Sequence, residues 1–437
     1  MKRTVSILLI CIAFAAPLFA GGGGESDKGV AFDPNRQYTV SIGCYGDLAA
    51  AYKTVFSTPA FKRAYPNITV EYQTSDFNGH HNRLTTVLAA GESTNEIEAI
   101  ELVYIASFVD GGRLTSFSNE MFAGDAAVEH INPAAVAMAT SSKRGLVAMP
   151  VDIGPVVLFY REDLLRASGV DPSEIEQLSS WEELIEIGKR VTRDTDGDGT
   201  IDQYALPNAA EAALMMIGGG KTGWFSEDGK PLEPADKYIH ALELARQIRD
   251  AGIDADTSVH SGLGISALSD EGEFTVAMVP AMTAFGGGLK LSSAVDVKGW
   301  RVASLPGSES ALGGGTFLTI PENVPAEQKA AAWEVVKYLS GSAEAQRMIY
   351  TQIYAFPVQT ELYADPAMRR GDDYFGGQDV WSVYTDAANM IPTYAVNEND
   401  PIADGIWGNS VGEVLINDLD PEDAWQQAVN QILAIID

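Results

Sequence analysis

The sequence predicts an α/β chain of two lobes, each a mainly parallel sheet flanked by helices, joined where one buried strand crosses between them. Three observations carry this. Short alternating or fully apolar runs are separated by helix-period stretches on both sides of the chain's centre, the pattern of parallel sheets with helices on their faces. The central stretch Met149–Leu164, MPVDIGPVVLFYREDL, is apolar from Val156 to Tyr160 and rich in β-branched and aromatic residues. It is too short to span a bilayer and reads as a buried strand that closes one half and opens the other. Two lobes joined this way enclose a cleft, a preferred place for a ligand.

The chain has 437 residues, enough for two or three domains, with 46% hydrophobic and 20% charged residues, a globular balance. With 29 basic and 60 acidic residues, the net charge of −31 argues against nucleic acid or an anionic membrane surface as partner. Lys2 and Arg3, the apolar Val5–Ala16 and Leu18-Phe19-Ala20 form a secretory signal over residues 1–20. Residues 21–35, Gly-rich and then charged, form a flexible leader. Ile10 precedes Cys11, so a lipid anchor there is not expected, and a periplasmic or extracellular location is. Removal of the signal leaves Cys44 alone, without a disulfide partner.

In chain order, Tyr38, Val40 and Ile42 alternate as a first strand, ending in the loop Gly43–Asp47. Ile68, Val70 and Tyr72 form a second. Leu84, Val87 and Leu88 lie at helical spacing and Gly91 ends that helix. Ile97–Tyr104 reads as a third, nearly continuous strand. Ligands of parallel sheets collect beyond the carboxyl ends of the strands. That rule selects Tyr45 and Asp47, then Asp76, then Glu101 and Tyr104. Beyond the crossing, Ser180 and Glu183 read as a capping box for a helix over Trp181–Val191. Tyr238, Leu242, Ala245 and Ile248 form another, stopped by Gly252. Phe274–Val279 and Trp300–Leu305 are strands, Thr316–Ile320 a short one, and a helix follows Pro325. Trp425, Ala428, Val429, Ile432, Leu433 and Ile436 share the face of a last helix.

The densest motif is Asp194–Asp202, DTDGDGTID. Alternating carboxylates followed by glycine wrap oxygen ligands around a hard cation, with Asp194, Asp196, Asp198, Thr200 (carbonyl) and Asp202 as the set. The closing glutamate is missing, so the loop is either a structural calcium site or an acidic turn. No other cofactor is required. Gly408–Gly412 matches G-x-S-x-G but lacks a preceding strand and a later histidine. Gly220-Lys221-Thr222 has Met215 where a phosphate loop needs glycine. His80 and His81 are badly spaced for zinc and are expected in solvent. Among the aromatics, Tyr45, Tyr104, Phe285, Tyr354 and Trp407 fall at the cleft, where ring faces beside Asp, Glu and Asn suit sugars. Core packing is the default role for each except Tyr104 and Trp407. Asp152 in the crossing stretch and Gly314 in Gly313–Gly315 complete the ligand-binding set.

Together these features resemble an extracellular solute-binding protein of an ABC importer, in the sugar-binding group that includes maltose-binding protein. The carriers are the export signal and leader, Leu84–Gly91 before Glu101–Tyr104, Pro150–Leu164, the Asp194–Tyr204 loop and Phe225–Pro231. Ala277-Met278, Gly313–Ile320 and Ala330–Tyr338 followed by Ser340–Gln346 complete them. The resemblance implies a periplasmic-binding-protein fold with three interlobe crossings, near Pro150, Leu305–Pro306 and Ala355–Pro357. It places lobe 1 at 36–149 and 306–355, and lobe 2 at 150–305 and 356–437. It implies a monomer that is not an enzyme, captures a sugar or oligosaccharide and delivers it to a membrane permease. Where that family often has Asp then Trp after the third strand, Glu101 and Tyr104 stand here. Met282–Phe285 replaces its Gly-Pro-Trp. The alternatives are a calcium-dependent polysaccharide-active enzyme, or the same fold holding a non-sugar solute.

Overall fold

The computed structural model describes residues 31–218, 223–225, 235–292, 295 and 297–436. The signal segment, Cys11, most of the leader, Gly220-Lys221-Thr222 and the Ser226–Pro231 part of one motif lie outside the described residues.

The chain opens as strand–helix alternation: β1 (Tyr38–Tyr45), α1 (Leu48–Ser57), β2 (Ile68–Ser75), α2 (Phe77–Ala89) and β3 (Ile97–Glu101). The strand β1 pairs in parallel with β2, from Tyr38–Ile68 to Tyr45–Ser75, and with β3 on its other edge. Tyr38, Val40 and Ile42 of β1 are buried, as their alternation requires. The third strand is shorter than the sequence reading. Glu101 caps a new helix, α3 (Leu102–Val109), its carboxylate accepting from Val103 N at 2.8 Å. A carboxylate at an N-cap satisfies an orphan amide and favours the positive end of the helix, so the apolar run that follows coils instead of extending. Tyr104 therefore sits on a helix, not at a strand end.

The crossing strand is β4 (Met149–Arg161), thirteen residues long and buried throughout. Val157 and Phe159 enter a first hydrophobic core with β1–β3, while Val156, Leu158 and Tyr160 enter a second core. One strand thus feeds two cores by its period of two. Its partners are β5 (Met278–Met282), β6 (Trp300–Ala303), β7 (Leu312–Thr319) and β8 (Phe356–Pro357), all antiparallel to it. The main sheet runs β6–β4–β7–β3–β1–β2, with β5 and β8 also on β4. Parallel pairing in this sheet is confined to β1–β3; the strands that meet β4 return along it and pair antiparallel. The predicted Phe274–Val279 strand is broken at Ala277: Thr275–Val276 pairs with Gln203–Tyr204, and β5 begins one residue later.

The second core is helical. Trp181–Val191 is a helix as expected, but its box is not reciprocal: Ser180 accepts from Glu183 N, while Glu183 accepts from Ser179 N. Helices α4 (Ala209–Gly218), α5 (Ala235–Asp250), α6 (Asp400–Ile416) and α7 (Pro421–Ile436) pack together. Helix α6 starts at Asp400, within the polar stretch before Gly408. Pro401 occupies its first turn, where a missing N–H costs no hydrogen bond. Trp407 consequently lies mid-helix. No helix of the described residues is long and apolar enough to cross a membrane.

Candidate functional site

Three adjacent strands place Glu101 (β3), Thr316 (β7) and Asp152 (β4) in one row, because Thr316 is the register partner of both carboxylates. Tyr45, at the end of β1, shares a hydrogen bond with Thr316 through the two hydroxyls at 3.0 Å. Glu101 Oε1 accepts from Gly315 N at 3.3 Å. Gly314 lies tightly against the site: a Cβ there would stand 3.0 Å from Met282 Sδ and 3.3 Å from Glu101 Oε1, so both side chains would have to shift slightly. Asp152 is buried, and its Oδ2 has no hydrogen-bond partner among the described residues. Burial pushes the Asp152 carboxyl up to about 7; the Thr316 hydroxyl opposes this and the Glu101 charge adds to it. Burial also raises Glu101, against its backbone amide donors.

Both histidines correct the sequence expectation: they are buried, not solvated. His80 Nε2 meets Ala99 O at 2.7 Å, and His81 Nδ1 meets Phe77 O at 2.8 Å. The other nitrogen of His81 accepts from Glu101 N at 3.0 Å. Burial holds His81 down at about 4, the Phe77 carbonyl opposing and His80 adding to it, so it stays neutral and supplies that acceptor. Its ring stacks on Tyr104, 4.1 Å between centroids and 9° between planes. His81→Ala is expected to cost about 1–3 kcal/mol of stability by stranding the Glu101 amide. Chemical denaturation measures it.

The remaining predicted residues separate. Asp76 is exposed and caps α2, accepting from Gly79 N at 2.8 Å; Asp47 is exposed at the start of α1. Phe285 packs edge-on to Phe159 at 5.2 Å. Tyr354 has φ 56° and lies beneath Lys290, whose Nζ is 4.9 Å from the ring. Trp407 is 1% exposed in the second core, with Tyr238 at 5.4 Å and Trp224 at 6.3 Å between centroids. It also forms part of a cavity wall, and its Nε1 has no hydrogen-bond partner among the described residues.

That cavity, about 230 Å³, opens where α3 of the first core faces α4 and α6 of the second. Leu102, Val103 and Ala106 form one wall; Leu214, Met215 and Trp407 form the other. It borders the carboxylate row along the chain at Glu101–Leu102 and again at Gly313–Gly314. Sequence reasoning named Tyr45, Glu101 and Asp152. It missed Thr316, His81 and the cavity, because only strand register and helix packing bring them there.

In the acidic loop, Asp194, Asp196 and Asp202 each place a carboxylate oxygen within 4.8 Å of the others. Asp194 accepts from Gly197 N and Gly199 N at 2.6 and 2.7 Å, and Asp202 accepts from Thr195 N at 2.8 Å. Asp198 is turned to Thr200 N at 2.7 Å and lies outside the cluster.

The family model for bacterial extracellular solute-binding proteins matches residues 45–346. The arabinooligosaccharide-binding protein of Bacillus subtilis (strain 168) is 21% identical over 428 residues, 94% of each chain. A crystal structure of an extracellular solute-binding protein of family 1 superposes with TM-score 0.77 at 19% identity, covering 90% of this chain and 98% of that one. The sugar-binding protein MalE of Xanthomonas citri gives 0.71 at 17% identity, covering 90% and 96%.

Proposed function

Because the chain belongs to the bacterial extracellular solute-binding proteins and has their two-lobe fold, we propose that it is the sugar-capturing component of an ABC importer. The observation that carries the ligand class is the row Glu101–Thr316–Asp152 with Tyr45, a set of oxygen acceptors and hydroxyls beside stacked rings. Sugar hydroxyls donate to carboxylates, and their apolar ring faces lie on aromatic or aliphatic walls. The similar proteins bear sugar-binding names, in line with this. In the reading we favour, lobe 1 comprises 36–149 and 306–355, lobe 2 comprises 150–305 and 356–437, and ligand closes one on the other. Closure of this kind requires contacts that only the closed state makes. The protein acts after export, as a monomer, handing its ligand to a membrane permease without chemical change.

A thermal-shift screen of mono- and oligosaccharides tests this directly. Ligand at about 100 times its Kd adds about 2.7 kcal/mol of apparent stability. A panel without any shift would overturn the sugar reading, and hydrolysed glycan would overturn the binding-only role. Within the same reading, the Asp194 loop holds a structural calcium through Asp194, Asp196 and Asp202. Their convergence and the bends at Gly197 and Gly199 (φ 83° and 94°) favour it. Chelator is expected to lower the melting temperature and leave sugar affinity unchanged. An unmoved melting temperature would reduce the loop to an acidic turn.

A further inference from the structure

We propose that His81 is a positioning residue for ligand binding: it fixes the first turn of α3, and so the wall that the first core gives to the cavity between the two cores. This rests on the sugar reading and deepens it by naming what holds that wall. Leu102, Val103 and Ala106 of α3 form the wall. Val103 is 61% exposed, so little packs on it from outside, and directed contacts must hold the turn that carries it. At its far end α3 is tied through its C-cap, Asp110, which accepts from the hydroxyls of Ser141 and, at 3.2 Å, Ser142. At its near end the contacts converge on one imidazole.

His81 reaches that turn twice. Its Nε2 accepts from Glu101 N at 3.0 Å, on the residue that caps the helix. Its ring lies flat on Tyr104, three residues further on, at 4.1 Å and 9°. The imidazole is itself held in place. Nδ1 donates to Phe77 O at 2.8 Å, one turn back in α2, and the rings of Phe77 and Tyr45 flank it at 4.8 and 4.9 Å between centroids. The bond to Phe77 also sets the tautomer: with the proton on Nδ1, Nε2 is left as an acceptor. Without that acceptor the Glu101 amide is buried unpaired, and the turn gives way to satisfy it. A wall set before binding needs less ordering than a loose one, so a loosened turn lowers affinity even where the fold survives.

The neighbouring His80 supplies an internal comparison. It is as fully buried as His81, but its Nε2 meets Ala99 O at 2.7 Å and so holds β3 rather than α3. Loss of His80 burdens the fold without removing a contact to the wall.

Calorimetric titration of the mature chain with glucose, galactose, xylose, arabinose, maltose and lactose tests this. For whichever sugar binds, His81→Phe keeps a flat ring against Tyr104 but has no acceptor, and is expected to weaken affinity about fivefold or more. His81→Gln, whose side-chain oxygen can accept from the same amide, is expected to restore affinity to within about twofold of the wild type. His80→Phe is expected to lower the melting temperature as His81→Phe does, yet to leave affinity within about twofold. Without ligand, amide hydrogen exchange at Val103, whose N–H the Glu101 carboxylate holds, is expected to quicken in His81→Phe and not in His80→Phe. Undiminished affinity or unchanged exchange in His81→Phe, an equal loss of affinity in His80→Phe, or no recovery in His81→Gln would each overturn the positioning role while the sugar reading stands. A wild type that binds none of these sugars would overturn the sugar reading and this inference with it.

Discussion

Trp407→Ala is expected to lower ligand affinity at least tenfold and, in the same protein, to cost roughly 3–5 kcal/mol of stability. The indole belongs to two environments. One face packs among Tyr238, Trp224 and Trp425 in the second core, and another part forms the cavity wall. At 1% exposure its removal leaves a void that α6 and α7 cannot close without breaking their own packing. The sequence reading set Trp407 apart from core packing; its burial in the second core reverses that expectation. Denaturant unfolding without ligand measures the core contribution, and titration well below the midpoint measures the cleft contribution. A destabilised variant with unchanged affinity would confine Trp407 to the core.

The second large effect is a pH dependence centred on Asp152. Its carboxyl stands near 7 in the folded protein against an ordinary 3.8, chiefly through burial. The folded state therefore holds a proton that the unfolded chain has already released over this interval. Stability falls as pH rises through that window, because the native state binds more protons than the unfolded one. The loss is absent below about pH 4 and complete above about pH 7. A difference of about three pH units at about 1.4 kcal/mol each amounts to roughly 4 kcal/mol at its fullest. Asp152→Asn removes the ionisable group at nearly constant shape. It is expected to match the wild type near pH 4 and to exceed it by up to roughly 4 kcal/mol at pH 8. Parallel pH profiles for the two proteins would show that Asp152 ionises without cost. The groups facing it, Glu101, Tyr45, Tyr52 and Thr316, include no cation that would relieve its charge.

Local sequence determined the strand–helix alternation, the buried crossing strand and the candidates at strand ends, because hydrophobic period and chain punctuation act over a few residues. Tyr45 and Glu101 were legible for that reason, and Asp152 through the crossing strand that carries it. Tertiary structure decided the rest. The run Ile97–Val109 is apolar enough for strand or helix, and Glu101 sets the boundary by capping α3 with its own carboxylate. His81 carries no sequence mark of burial; it is buried because α2 packs it beside Tyr45, Phe77 and Tyr104. Thr316 joins two carboxylates only through the register of β7 between β3 and β4. The cavity exists because α3 (Leu102–Val109) meets α4 (Ala209–Gly218) and α6 (Asp400–Ile416), helices far from it along the chain. Period and capping are local energies that a sequence displays, whereas burial and electrostatic environment belong to groups brought together by long-range packing, and only the fold sets them.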